Sequence, residues 1–143
     1  MRVSTSWLFW ALLSAGFAAL TAVLAKLGVG AVNPDLATFI RTLVVVAMAG
    51  LIVAATGAWQ VSAVSGRGWL FLVLSGLATG ASWLCYFRAL KLGEAARVAP
   101  IDKLSVVFVA VFAALFLGEK LSAVNWGGVA LIALGALLVA RQG

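Results

Sequence analysis

The chain has 143 residues, of which 65% are hydrophobic and only 10% are charged. A soluble domain carries about 25% charged residues, so this composition excludes a soluble enzyme or a soluble binding domain. The net charge of +6 comes from ten basic residues that are scattered singly along the chain. Scattered cations argue against a nucleic-acid partner and favour contact with anionic membrane lipid.

Apolar segments long enough to cross a membrane make up most of the sequence. A helix of about 20 apolar residues spans the roughly 30 Å hydrocarbon layer of a bilayer. The segments that meet this length are 7–29, 34–56, 68–90, 100–117 and 122–140. We therefore predict an all-α integral membrane protein with five transmembrane helices, forming a single domain over residues 1–143.

The breaks between these segments contain residues that commonly begin or end helices. Asn33 and Pro34 open the second helix, and we expect Pro100 to open the fourth, because the first turn of a helix tolerates the missing N–H of proline. Gly118 ends the fourth helix, and Ser122 can cap the fifth.

An odd number of spans places the two chain ends on opposite sides of the membrane, here called side A (N-terminal) and side B. The basic residues near side A are Arg2, Arg67 and Lys120. Those near side B are Lys26, Arg88, Lys91, Arg97 and Arg141, with Arg41 and Lys103 somewhat deeper. The positive-inside rule then predicts a cell (inner) membrane protein with its N-terminus outside and its C-terminus inside. The bias is small once the deeper residues are omitted, so insertion in both orientations stays open.

The third helix has a polar stripe. Ser75, Thr79, Ser82 and Tyr86 follow an i, i+4, i+7, i+11 spacing, which aligns them on one helical face, and Trp83 lies beside them at mid-span. We predict that these five residues line a substrate cavity between helices. The alternative is that the hydroxyl groups bond to their own helix or to a neighbouring helix.

Charged residues near side B form a second candidate site, a vestibule or gate. Its members are Lys26, Arg41, Arg88, Asp102 and Lys103. Lys26 and Arg88 end helices that run toward side B, so their Cβ atoms tilt inward and favour a water-filled vestibule.

Two of these charged residues also have ordinary structural explanations. Arg41 lies roughly 10 Å down the second helix, from where its side chain can reach back to the side B interface. Asp102 is expected in the first turn of the fourth helix, where its carboxylate complements the helix dipole; the functional alternative pairs it with Arg41 or Lys26 as a gate. Asp102 and Lys103 are adjacent in sequence and are expected to point to different faces, so we do not expect them to pair.

The acidic residues are Asp35, Glu94, Asp102 and Glu119, all near the ends of spans. An exporter that couples protons to cationic drugs would need an acid at mid-membrane depth, which this chain lacks. The surplus of cations near side B instead favours a neutral, zwitterionic or anionic solute.

Small residues indicate where helices can approach closely. Gly76 and Gly80 form a GxxxG step on the third helix, and Gly128 and Gly135 are candidates for dimer packing on the fifth. Cys85, the only cysteine, is expected to be a small buried apolar residue. With no histidine and no set of metal ligands, we expect neither a metal nor another cofactor, and no enzymatic activity.

Several short motifs resemble the EamA domain of the drug/metabolite transporter superfamily. They are SG at 75–76, SW at 82–83, YFRAL at 86–90, VAPIDKLS at 98–105, LGEKL at 117–121 and GVALI at 128–132. The run from 86 to 105 is the most specific, while KLG at 26–28 and Arg41 also fit the pattern.

The resemblance implies an architecture and a function. Typical members carry two inverted repeats in ten helices, whereas this chain resembles the five-helix branch with one EamA-like repeat. That implies two antiparallel copies, or one copy with a related partner, with helices one to four lining a cavity and the fifth at the dimer seam. Members export small solutes by alternating access. The related four-helix multidrug proteins use a glutamate in their first helix for proton antiport, and no acid occurs there in this chain.

The leading hypothesis is therefore a small-solute transporter that exports a metabolite, an amino acid or a similar molecule as an antiparallel dimer. Its expected partners are membrane lipid, the solute and a second subunit, either a copy of itself or a related chain in a heterodimer. The alternative is a non-transporting or heteromeric membrane subunit, such as half of a lipid-carrier flippase.

Overall fold

A computed structural model describes residues 5–141, with side chains from Trp7 onward. Its α-helices are α1 (Thr5–Val29), α2 (Pro34–Thr56), α3 (Gly66–Leu92), α4 (Ala95–Asp102), α5 (Ser105–Phe116) and α6 (Ala123–Ala140), with a short 3-10 helix at Val61–Ala63. Within residues 5–141, five segments are long and apolar enough to cross a bilayer, α4 and α5 together counting as one. The predicted all-α membrane fold is confirmed. Arg2 lies outside the described residues.

Local hydrogen bonds explain where several helices begin and end. The side-chain oxygen of Asn33 accepts a hydrogen bond from the backbone N–H of Asp35 at 2.8 Å, which caps α2. Gly57 ends α2 in the left-handed region, at a φ of 65° that favours glycine. Ser122 caps α6 by accepting a bond from the N–H of Asn125 at 3.2 Å.

The fourth span departs from the prediction at Pro100, which lies inside α4 rather than at its start. The helix begins five residues earlier, where the N–H groups of Arg97 and Val98 bond to the carbonyl of Glu94. Proline has no N–H for the carbonyl of Ala96 and its ring crowds that carbonyl, which weakens the helix. α4 ends at Asp102, and the N–H of Leu104 bonds to the carbonyl of Ile101 in a tight turn before α5.

Two expectations about Asp102 are also wrong. It is the last residue of α4 and not in the first turn of the span, so it cannot cap that helix dipole. Its carboxylate lies 3.2 Å from the ammonium of Lys103, so the two neighbours do pair. The helix ends between them, and the angular separation of successive helical residues therefore no longer keeps their side chains apart.

The chain packs as two compact units. Unit 1 takes in the described residues of Met1–Val23 and Leu92–Gly143. Within it α6 packs against α4 and α5, and Ala113 of α5 and Ala136 of α6 are buried. Small side chains at such positions let helix backbones approach closely in lipid.

Unit 2 is Leu24–Lys91 and contains the end of α1, α2 and most of α3. Its buried residues are Val29, Thr38, Phe87 and Leu90, which lie at the end of α1, near the start of α2 and near the end of α3. The packed part of this unit is therefore its side B end. Cys85 is exposed on α3, so the expectation of a buried cysteine is wrong, because the other face of this helix packs inward.

Candidate solute-binding site

Arg41 of α2 and Trp83 of α3 meet within unit 2. The guanidinium carbon of Arg41 lies 4.0 Å from the centre of the Trp83 ring and 5.7 Å from that of Phe87. Both distances fall within the range in which a cation is attracted to an aromatic face. The structure thus brings together one residue from each of the two predicted sites. A helical side chain leans toward the N-terminus of its own helix, which aims Arg41 at the C-terminal half of antiparallel α3.

Arg41 retains its hydrogen-bonding capacity. Its side chain is only half-buried, and among residues 5–141 it makes neither a hydrogen bond nor an ion pair. A guanidinium carries five N–H donors and no acceptor. Charged groups in a membrane segment pair with a counter-charge or face a water-filled cavity. Arg41 therefore keeps its N–H donors available to a hydrogen-bond acceptor from outside the described chain.

The other cations at the side B end of unit 2 hold helix ends together. Lys26 donates to the carbonyl of Leu90 at 2.6 Å, and Lys91 donates to the carbonyl of Val32 at 2.9 Å. The guanidinium of Arg88 contacts both carboxylate oxygens of Asp35, at 2.9 and 3.1 Å. Lysine and arginine near the end of a helix satisfy carbonyl groups that lack an intrahelical partner.

Asp35 is a partner that sequence reasoning missed. The sequence places Asp35 near the end of a span and Arg88 in a vestibule, without pairing the two. The positions of the two residues in the sequence could have indicated this pair. An acid in the first turn of one helix and a base in the last turns of the next can meet when the two helices are antiparallel. Arg88 and Asp35 are both about half exposed.

The polar stripe of α3 lies partly on the outside of the chain. Ser75, Thr79 and Ser82 are exposed, while Trp83 and Tyr86 are half-buried. The hydroxyl of Thr79 donates to the carbonyl of Ser75 at 2.9 Å, the bonding expected of a hydroxyl inside a helix. Within this chain alone, the three exposed members leave polar groups on the surface of a membrane span.

The remaining predicted residues belong to unit 1. Asp102 and Lys103 pair with each other at the end of α4. Gly128 and Gly135 are exposed on α6, and a Cβ atom added at either position would meet no atom within 4 Å. Neither glycine is therefore needed for close packing between the described parts of one chain.

Comparison with known proteins bears on the family of this chain. Residues 5–141 match the family described as the EamA-like transporter family. The chain belongs to this family. It is 69% identical over 139 residues to a Sinorhizobium sp. protein named "Uncharacterized transporter in cobO 3'region", covering 96% of this chain and 99% of that protein. No solved structure matches it. The predicted EamA resemblance is confirmed, and the chain is a multi-pass membrane protein of a transporter family.

Proposed function

We propose that the protein exports a small solute, such as a metabolite or an amino acid, by alternating access as an antiparallel dimer in the inner membrane. The observation that carries the proposal is the contact of Arg41 with Trp83 beside the polar stripe of α3. A charged group, an aromatic ring and hydroxyl groups at membrane depth are what a site for a polar solute requires. This activity is transport without covalent chemistry.

Exposure of the polar stripe supports a second subunit. Ser75, Thr79 and Ser82 are exposed on a helix that crosses the bilayer. Thr79 bonds to its own helix, whereas lipid tails offer no hydrogen bonds to the hydroxyl groups of Ser75 and Ser82. The similar Sinorhizobium sp. protein is matched over 99% of its length. A second subunit that covers the stripe would convert an exposed polar face into an enclosed cavity.

Transport by the purified protein in liposomes tests the proposal directly. Vesicles loaded with a panel of radiolabelled amino acids, organic acids, sugars and nucleosides would be assayed for release. We expect release of at least one class, and a loss of about tenfold or more in Trp83→Ala and Tyr86→Ala, because each change removes a wall of the proposed cavity. Trp69→Ala is the matched control, since Trp69 lies on the same helix and is exposed.

Two results would contradict the proposal. Vesicles that release none of the solutes would remove the transport function and leave a subunit of a heteromeric assembly, such as half of a lipid-carrier flippase, as the better explanation. Wild-type rates in both cavity variants would remove the proposed site. A reporter fused to the C-terminus measures orientation: signal from both compartments supports the antiparallel homodimer, and signal from one compartment requires a related partner or a parallel assembly.

A further inference from the structure

We propose that Arg41 binds the carboxylate group of the transported solute, so that the substrates are small molecules carrying a single carboxylate. This inference rests on the proposed transport function and specifies its substrate class. Three features support it: Trp83 occupies one face of the Arg41 guanidinium, the same unit offers Arg41 no carboxylate partner, and a membrane segment tolerates little net charge.

The contact with Trp83 occupies one face of the guanidinium. At 4.0 Å, the guanidinium carbon is at about van der Waals distance from the ring. The N–H bonds of arginine lie in the plane of the group, and a guanidinium that stacks on a ring keeps them directed outward from its edge. Trp83 and Phe87 thus hold the Arg41 guanidinium in place without using its N–H donors.

The protein offers Arg41 no carboxylate within its own unit. Asp35 is the only acidic residue in the sequence of Leu24–Lys91, and both of its carboxylate oxygens contact Arg88. The backbone of α2 and α3 is bonded within the helices and supplies few acceptors at this depth. A solute is therefore the natural source of the acceptor.

Charge and geometry select a carboxylate. The two parallel N–H groups of an arginine fork match the two oxygens of a carboxylate, and one guanidinium neutralises one carboxylate. A dianionic phosphate would leave a net negative charge beside Arg41 within a membrane-spanning helix, which is unfavourable. Lysine would retain the charge of Arg41 and lose the fork, so Arg41→Lys separates charge from geometry.

Tryptophan fluorescence reports binding without any transport step, because an anion on Arg41 changes the field at Trp83. The protein, purified in dodecyl maltoside, would be titrated with benzoate and with the common amino acids, each paired with its carboxamide. We expect a saturable change with at least one carboxylate, none with its amide, and no such change in Trp83→Phe. Arg41→Gln should raise the Kd at least about tenfold, with Arg41→Lys in between.

Arg67→Gln is the matched control, because Arg67 also lies over an aromatic ring, that of Phe71 at 5.7 Å, near the start of α3. It should bind as the wild type does. Equal responses to acid and amide, no response to any carboxylate, or an unchanged Kd in Arg41→Gln would each overturn the inference. So would an Arg41-dependent response to short-chain phosphatidylglycerol alone, since the ligand would then be a lipid headgroup.

The binding assay and the transport assay test the two proposals separately. Arg41-dependent binding of a carboxylate by a protein that transports nothing would support this inference and contradict the proposed function. Transport of acids and amides at equal rates, unchanged in Arg41→Gln, would support the proposed function and contradict this inference.

Discussion

Individual cations at the side B end of unit 2 differ in the accessibility of their partners. Lys26 donates to the carbonyl of Leu90, a residue with no exposed surface. Arg88 pairs with Asp35, and both side chains are about half exposed. A buried carbonyl that loses its donor has no water to replace it, whereas an exposed carboxylate does. The two contacts should therefore contribute unequally to stability.

Lys26→Met should lower the free energy of unfolding by about 1–3 kcal/mol, because it leaves the Leu90 carbonyl without this donor. Asp35→Asn should lower it by less than about 1 kcal/mol, as is typical of an exposed ion pair. Unfolding in mixed detergent micelles, followed by circular dichroism, measures both. Equal losses in the two variants would show that burial of Leu90 does not determine the contribution of Lys26.

The sequence pointed to Arg41 and to Trp83, but not to their contact. Trp83 was assigned to the cavity because of its depth in α3, and Arg41 to a vestibule or to the interface because of its distance from Pro34. Their contact depends on the pairing of α2 with α3 and on the register between them. The spacing of residues along one helix reveals neither. The same reason explains why Asp35 was not paired with Arg88.

At the scale of the helices, the apolar signal located all five spans but misplaced the start of the fourth. α2 matches its predicted bounds, while α1, α3 and α6 differ from theirs by at most two residues at an end. The fourth span is preceded by mixed residues from Glu94 to Val98, which carry no strong apolar pattern. A proline after such a stretch is a common helix start, and only the bonds to the Glu94 carbonyl reveal the earlier one.

The chain's two prolines provide a matched test of the break in the fourth span. Pro100→Ala restores an N–H for the Ala96 carbonyl inside α4 and should raise the midpoint of thermal denaturation, since interior proline is unfavourable by up to about 3 kcal/mol. Pro34→Ala, at the first position of α2, should give no increase, because that N–H has no intrahelical partner. An equal increase in both variants would contradict this account of α4.

At the scale of the whole molecule, the exposed surface shows which contacts one chain leaves open. Leu115 and Phe116 of α5 and Leu131 of α6 are more than 70% exposed, as lipid-facing residues of a membrane protein are. Gly128 and Gly135 lie on α6 near Leu131, three and four residues away. A surface of this kind can face lipid or a second subunit, and the two glycines allow the closer approach that a subunit needs.

Gly128→Leu and Gly135→Leu should abolish dimerisation and transport while leaving the helical content and the monomer unchanged. The reason is that an added side chain meets no atom of its own chain within 4 Å at either position, but would separate two closely packed helices. Ala130→Leu is the control, because Ala130 is exposed and lies about 200° around α6 from Gly128. Size-exclusion chromatography with light scattering, in a series of detergent concentrations, measures the assembly. A dimer that survives both leucine substitutions would place the subunit contact on a different helix, and the exposed stripe of α3 would then be the next surface to test.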